Sequence, residues 1–171
     1  MELKIPNREI LDCFKKKAEF IFSKSNPQWY PLTVALKEAL LNGNQDKVQE
    51  LINKLLLNFV SIRDSAHEDF YHGFLSGVLS VALDDETLKS DTESGDGYAD
   101  LLLYSDYLKK AAVLEFKKVA DGEDYDSVCA GALSQIEEKR YAAPFEQKKY
   151  TVLKYGIAFR GKKCLVLREL G

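Results

Sequence analysis

The sequence has few of the residues that build zinc centres and disulfide frameworks. It contains three cysteines and two histidines in 171 residues. Cys13, Cys129 and Cys164 lie far apart, and none belongs to a C-x-x-C pair. His67 and His72 are five positions apart, whereas the two histidines of the zinc-protease pattern are four apart on one helix face. These spacings exclude that pattern and indicate buried thiols in a reducing compartment.

Motifs that bind nucleotide phosphates or expose a serine nucleophile are absent as well. The chain has no G-x-x-x-x-G-K-[ST], no G-x-G-x-x-G and no G-x-S-x-G sequence, so P-loop and serine-hydrolase chemistry are unsupported. No uncharged stretch approaches the roughly 18 apolar residues of a membrane span, and the start MELKIPNREI lacks a signal pattern. We therefore expect a soluble, cytoplasmic protein with no membrane partner.

The charge of the chain is low overall but uneven. A net charge of -3 and a pI near 5.5 argue against a protein that coats nucleic acid by bulk electrostatics. Residues 84–125 carry 12 acidic and 5 basic side chains, and residues 126–171 carry 5 and 9. This asymmetry fits a metal site beside a phosphate-binding surface, and it equally fits solvated loops of either sign.

The first half of the chain has helical periodicity. Asn7 can cap a helix to about Ser23, the prolines at 27 and 31 break the chain, and a second helix runs over 32–41. Apolar residues recur at three and four positions over 45–59, and a broad apolar stripe predicts a fourth helix over 65–83.

The second half alternates strands with one helix. Residues 87–119 predict three strands separated by turns, of which 98–104 and 111–116 have the continuous apolar character of central strands. Asp124 can cap a helix to about Arg140, and 150–159 with 163–170 predict a hairpin. The predicted fold is an α/β sandwich, with a mixed sheet of four to five strands flanked by helices. A helical extension over 1–64 would pack on a core over 65–171 as one compact unit.

Two acidic side chains on neighbouring strands are candidates for a metal site. Hydrolysis of a phosphodiester needs a cation, and magnesium prefers carboxylate and carbonyl oxygens. If the strands that carry Asp100 and Glu115 pair as a hairpin, their carboxylates meet at one end of the sheet. Glu115 and Lys117 are two apart and share a face, while Phe116 points into the core. The alternative is an ordinary same-face ion pair.

The combination of motifs resembles a known family. The strings SDTESGDGYADLLLY, AAVLEFK, ALSQIEEKRY and KYGIAFRGKKCLVL resemble the PD-(D/E)XK nuclease domain found at the C-terminal end of AAA-ATPase-like bacterial proteins. The resemblance covers roughly Ser65 to the C-terminus and implies a restriction-endonuclease-like fold. Ala99 stands where the motif usually has proline. The opening LKIPNREI resembles the junction with the ATPase-like region, which makes an ATPase-like region or protein a candidate partner.

The resemblance implies a role for each site residue. Asp100 matches the aspartate of the motif, Glu115 and Lys117 match its E-x-K, Gln135 matches the glutamine of the following helix, and Glu68 matches an acidic residue of the preceding helix. Together with the backbone carbonyl of Phe116, the three acidic residues would bind Mg²⁺ or Mn²⁺, and Lys117 would position the attacking water. Alternatives are a capping box for Glu68 with Ser65 and a helix-surface position for Gln135.

Several polar residues around these positions are candidates for contact with nucleic acid. His72 lies four residues after Glu68 and could touch phosphate, orient a carboxylate or be purely structural. Basic side chains could track the phosphates and one tyrosine could stack on a base. These residues are Lys139, Arg140, Tyr141, Lys148, Lys149 and Lys154.

The sequence thus predicts a metal-dependent nuclease, with DNA preferred over RNA as substrate. One alternative is a regulatory module that keeps the fold and binds nucleic acid or protein without turnover. A third interpretation is a helical bundle with an appended sheet that mediates oligomerisation, for which a homodimer is the simplest form.

Overall fold

The computed structural model describes residues 29–60 and 68–169. Within these ranges, three helices come first: α1 (Trp29–Leu41), α2 (Gln45–Phe59) and α3 (Glu68–Ser80). The side chain of Asn44 caps α2 by accepting a hydrogen bond from the N–H of Lys47. Within the described ranges, no helix has both the length and the apolar character of a membrane span.

A mixed five-stranded sheet follows the helices. Its strands are β1 (Glu86–Ser94), β2 (Gly97–Ser105), β3 (Lys110–Lys118), β4 (Thr151–Arg160) and β5 (Lys163–Arg168). They lie in chain order, and only the β3–β4 pair is parallel. The chain makes that crossover through α4 (Tyr125–Glu138) and the short α5 (Ala143–Glu146), because parallel neighbours need a long connection.

Helices cover both faces of the sheet. On one face, α1, α2 and α3 pack on alternate strand residues such as Leu103, Leu114 and Ile157 to form the main apolar core. On the other face, α4 and the residues after it pack on Leu102 and Val113. This arrangement confirms the predicted α/β sandwich with helices flanking a mixed sheet.

Three amide side chains of α2 close one edge of the sheet. Gln45, Gln49 and Asn53 lie four positions apart on one helix face and accept hydrogen bonds of 2.8 to 2.9 Å from backbone N–H groups of β5. The donors are Arg168, Val166 and Cys164, respectively. An edge strand that would otherwise offer its N–H groups to another chain is thereby satisfied internally.

Most predicted elements are confirmed. Two of them begin or end at other residues than predicted, and one short helix was not predicted. Pro31 lies inside the first turn of α1 rather than before it, because the first N–H groups of a helix need no partner within the helix. The predicted helix over 65–83 already ends at Ser80. Local sequence pattern did not predict the four-residue α5, which is too short to show periodicity. The predicted helix at 7–23 and the start at Ser65 lie outside the described residues.

Candidate metal and nuclease site

The site begins where β2 and β3 part. Their antiparallel ladder ends at the pair Leu101 and Leu114, and the same register would place Asp100 opposite Glu115. The carboxylate of Asp100 replaces the next ladder bond, because its Oδ2 accepts a 2.7 Å hydrogen bond from the N–H of Phe116. The predicted hairpin therefore exists, and it brings the two strand positions side by side.

Glu115 is a buried carboxylate held by two donors. Its side chain is 2% exposed, and its Oε1 accepts hydrogen bonds from Lys117 Nζ at 2.9 Å and from Gln135 Nε2 at 2.5 Å. Burying a charge is costly unless it is paired and hydrogen-bonded, and these two contacts supply that compensation. The structure thus brings together Asp100, Glu115, Lys117 and Gln135, four of the residues that the sequence analysis singled out.

A glycine on β4 lets α4 come close enough for the Gln135 contact. Gly156 is the ladder partner of Glu115. A Cβ at this position would lie 2.4 Å from the carbonyl oxygen of Cys129 and 3.1 Å from the Leu133 side chain, both on α4. Only glycine fits, so the close helix–sheet approach that carries Gln135 to Glu115 depends on Gly156.

The turn between β1 and β2 supports Gln135 from the other side. Gly95 has φ +60° and lies so close to the end of α4 that a Cβ would meet the carbonyl oxygen of Arg140 at 2.2 Å. Ser94 Oγ donates to the carbonyl oxygen of Tyr141 at 2.7 Å, and the Tyr141 hydroxyl lies 3.2 Å from Gln135 Nε2. The turn therefore fixes Tyr141, and Tyr141 in turn orients the amide that contacts Glu115.

His72 of α3 holds the backbone at Asp100. The β1–β2 ladder skips the Asp91–Asp100 pair, and Asp91 has φ +46°. His72 Nε2 lies 3.0 Å from the carbonyl oxygen of Asp100 and 2.8 Å from Ser90 Oγ. The predicted role of His72 in binding nucleic acid stays untested, but its contacts are those of a side chain that fixes the strand beneath a candidate metal ligand.

The oxygen atoms at this point suit a hard divalent cation. The N–H of Phe116 points toward β2. In an extended strand the C=O of a residue points toward the same neighbour as its N–H, so the Phe116 carbonyl also points toward β2, the strand that carries Asp100. Two carboxylates and one carbonyl oxygen are the ligand types that magnesium prefers, so the residues present fit the predicted ion. Among the described residues, no group of three or more His, Cys, Asp or Glu side chains forms a complete metal cluster. Glu68, the predicted third acid, is the first residue of α3, and its side chain lies outside the described part of the chain.

The predicted nucleic-acid surface divides into exposed and buried residues. Lys139, Arg140, Lys148 and Lys149 are exposed, which is compatible with phosphate contact. Tyr141 is only 3% exposed, so a base cannot stack on its ring, and we correct that prediction.

Lys154 is likewise unsuited to phosphate contact. Its side chain is 14% exposed and lies 2.5 to 3.6 Å from three glutamates. Burial acts against its charged form, but hydrogen bonds to Glu137 and Glu169 outweigh that effect and raise the Lys154 pKa above its ordinary value. It is part of an ion cluster on the α4 side of the sheet.

Sequence reasoning missed the residues that support the site. Ser90, Asp91 and Ser94 look like ordinary polar strand residues, and Gly156 looks like a glycine within a strand. A glycine interrupting an apolar strand is a weak signal of a close backbone approach, and it was the one hint available. The other contacts join residues 18 to 47 positions apart, and local pattern carries no information about them.

One comparison with known proteins agrees with the fold described above. A family model described as the PD-(D/E)XK nuclease superfamily matches residues 66–169. That range contains Asp100, Glu115, Lys117 and Gln135, together with Glu68. A search of the curated proteins finds no significant match.

Proposed function

Because the chain belongs to the PD-(D/E)XK nuclease superfamily, we propose that it is a metal-dependent nuclease whose site is formed by Asp100, Glu115, Lys117 and Gln135. The observation that carries the proposal is the meeting of these side chains where β2 and β3 part, with Glu115 buried between Lys117 and Gln135. Nucleic acid is the substrate that the superfamily implies, and we take DNA as the first substrate to test.

The residues divide the chemistry among them. Asp100, Glu115 and the Phe116 carbonyl would hold Mg²⁺ or Mn²⁺, with Glu68 as a further ligand. Such an ion polarises a phosphoryl oxygen and lowers the pKa of a water molecule. Lys117 can orient the attacking water and stabilise charge that develops on the phosphate, since its side chain is 31% exposed and its Nζ lies 2.9 Å from Glu115 Oε1. Gln135 keeps the Glu115 carboxylate in one orientation.

The direct test is cleavage of single- and double-stranded DNA and RNA with Mg²⁺, with Mn²⁺ and with a chelator. We expect cleavage only with metal. Asp100→Ala and Lys117→Ala should both abolish it, while Lys163→Ala, which removes an exposed lysine from β5, should not. Thermal unfolding of each variant would show that the fold is intact. Cleavage that survives both site substitutions would refute the assignment.

A second candidate function is a module that binds nucleic acid or protein without turnover. It is favoured by the pairing of Glu115 with Lys117 and Gln135, because the same contacts would satisfy a purely structural buried carboxylate. Titration calorimetry with Mg²⁺ and Mn²⁺ separates the two functions. Metal binding that is lost in Glu115→Gln supports the nuclease, and no binding at millimolar metal supports the module. An ATPase-like partner, a homodimer, a cytoplasmic location and the division of the chain near residue 64 stay predictions from the sequence.

A further inference from the structure

A pocket of about 330 Å³ lies beside the candidate nuclease site. It is formed by β1, β2 and the segment around α5, on the face of the sheet that carries Glu115. Leu102 and Tyr104 line it from β2, where they are two residues apart and share a face. Tyr104 is four strand residues beyond Asp100, a distance of roughly 13 Å at about 3.3 Å per residue. A strand of nucleic acid at the site could extend into this pocket.

Three aromatic rings form one wall of the pocket. The Tyr104 and Phe145 ring centroids are 5.1 Å apart with an interplanar angle of 55°, and Phe145 and Tyr150 are 5.5 Å apart at 72°. The rings pack edge to face or tilted, so they do not cover one another in a closed stack. Tyr104 and Phe145 are only partly buried, and both line the cavity. Sequence-tolerant recognition of bases uses partly exposed aromatic faces of this kind.

Three lysines stand at the rim above these rings. Lys89 Nζ lies 5.8 Å from the centroid of Tyr104, and Lys109 Nζ lies 4.8 Å from the centroid of Tyr150. Lys148, from the segment after α5, completes the set, and all three lysines are exposed. The lysines give the pocket cations at the border of an aromatic wall, an arrangement that matches a phosphate joined to a base.

Two carboxylates also line the pocket, and their effects differ. Asp106 accepts a hydrogen bond from the Tyr150 hydroxyl and lies 4.0 Å from Lys109 Nζ, so its charge is engaged within the wall. Glu93 is exposed at the mouth. Three ammonium groups thus face two carboxylates, which leaves a balance of one positive charge that favours an anion.

We propose that this pocket binds one nucleotide of the substrate strand, with the base against Tyr104 and Phe145 and the phosphate on Lys89, Lys109 and Lys148. Its identity as a substrate subsite rests on the proposed nuclease function. Its volume is at the lower end of the range for small-molecule sites, which suits a single nucleotide. The subsite would hold the strand at a fixed distance from Asp100 and so set where the scissile phosphate lies.

The test is a binding titration of the full chain in a chelator, so that no metal and no cleavage are involved. The probes are deoxyadenosine 5′-monophosphate, deoxyadenosine and inorganic phosphate. The monophosphate should bind more tightly than either part alone. Tyr104→Leu, which removes the aromatic face but keeps bulk, should weaken monophosphate binding about 5-fold or more. Lys89→Glu changes an exposed residue and should weaken the monophosphate and inorganic phosphate together, whereas Lys163→Ala should change neither.

The outcomes separate the subsite from the nuclease. Equal affinity for inorganic phosphate and for the monophosphate, or unchanged binding in both Tyr104→Leu and Lys89→Glu, overturns the subsite. Cleavage with no mononucleotide binding would also overturn it and leave the nuclease standing. Mononucleotide binding in a protein that neither binds metal nor cleaves would uphold the pocket and refute the proposed function alone. The Glu115→Gln variant should bind the monophosphate like the unchanged protein, because Glu115 does not line the pocket.

Discussion

On the face of the sheet that α1, α2 and α3 cover, the buried strand residues are aliphatic, aromatic or cysteine, with Ser105 at the end of β2 as a polar exception. On the face that α4 and α5 cover, the buried strand positions include Glu115, and beside it stand Asp100 and Lys117. One strand serves both faces, because Phe116 and Glu115 are adjacent residues that point in opposite directions. The main core and the candidate site thus lie back to back, one residue apart on β3, and substitutions on the two faces should therefore have different consequences.

The largest expected effect is a loss of cleavage on substitution of Glu115, on the sheet face that α4 and α5 cover. Glu115→Gln keeps the shape of the side chain and removes its charge, so we expect cleavage to fall at least about 100-fold. The free energy of unfolding should change little, because glutamine keeps an acceptor oxygen at this position and the Lys117 side chain is partly exposed, so its charge stays solvated. Cleavage assays and urea unfolding measure the two quantities. A Glu115→Gln protein that unfolds readily and cleaves normally would show that Glu115 serves stability and not cleavage.

The next largest effect is a loss of stability on substitution in the main core, on the sheet face that α1, α2 and α3 cover. Leu55 of α2 is fully buried, and Leu55→Ala should lower the free energy of unfolding by about 2–5 kcal/mol because it leaves a cavity. Metal affinity, measured by calorimetry at a temperature where the variant is folded, should be unchanged. Leu57→Ala is the control, since Leu57 lies on the same helix and is 65% exposed.

A third substitution should lower both the stability of the fold and the affinity of the candidate site for metal. Gly156→Ala would place a Cβ against the Cys129 carbonyl oxygen, so α4 must shift. We expect a loss of about 1–3 kcal/mol in unfolding free energy together with a lower metal affinity, because Gln135 moves with the helix. Gly131→Ala on α4 has open space around it and serves as the control. An unchanged metal affinity in a destabilised Gly156→Ala protein would show that Glu115 does not depend on Gln135.

At the edge that α2 closes, a substitution should affect stability alone and leave the candidate site unchanged. Gln49→Ala removes the acceptor of the Val166 N–H, and an unsatisfied buried donor costs about 1–3 kcal/mol. Hydrogen exchange at Val166 should accelerate, while cleavage stays normal. Gln147→Ala, at an exposed glutamine, should leave both the exchange rate and the stability as they are.

The smallest effect concerns an ion pair on the core face, between Lys37 of α1 and Glu86 of β1. Burial opposes both charges, but hydrogen bonds outweigh it: the pKa of Glu86 lies below its ordinary value and that of Lys37 above. A lowered carboxylate pKa gives stability that is present above the unfolded pKa, near 4.5, and lost as the pH falls through the folded value. Glu86→Gln should cost about 1 kcal/mol at neutral pH, and the difference in Tm from the unchanged protein should vanish in acid. A difference that persists at a pH low enough to protonate Glu86 in the folded protein would show that packing, not charge, stabilises the pair.

Much of the fold followed from local pattern. Apolar periodicity predicted α2 and most of α3, and the apolar runs at 98–104 and 111–116 predicted the central strands. The site was predicted only in part. Glu115 and Lys117 share a face by strand geometry alone, whereas Gln135 came from the resemblance and Tyr141 was assigned to the wrong environment. Tyr141 directly follows the basic residues Lys139 and Arg140, but its ring lies close to Gly97 and is buried in a cluster with Leu102 and Ile136.

The sequence by itself determined which segments form helices and strands, and which face of β3 carries the charged pair, because those properties depend on neighbours a few residues away. Only the tertiary structure decided that β2 and β3 part at Asp100, that α4 approaches at Gly156 and that three lysines gather around the rings of Tyr104, Phe145 and Tyr150. These are contacts between residues distant in the chain. They depend on how closely whole elements can approach one another, and that distance is set by packing.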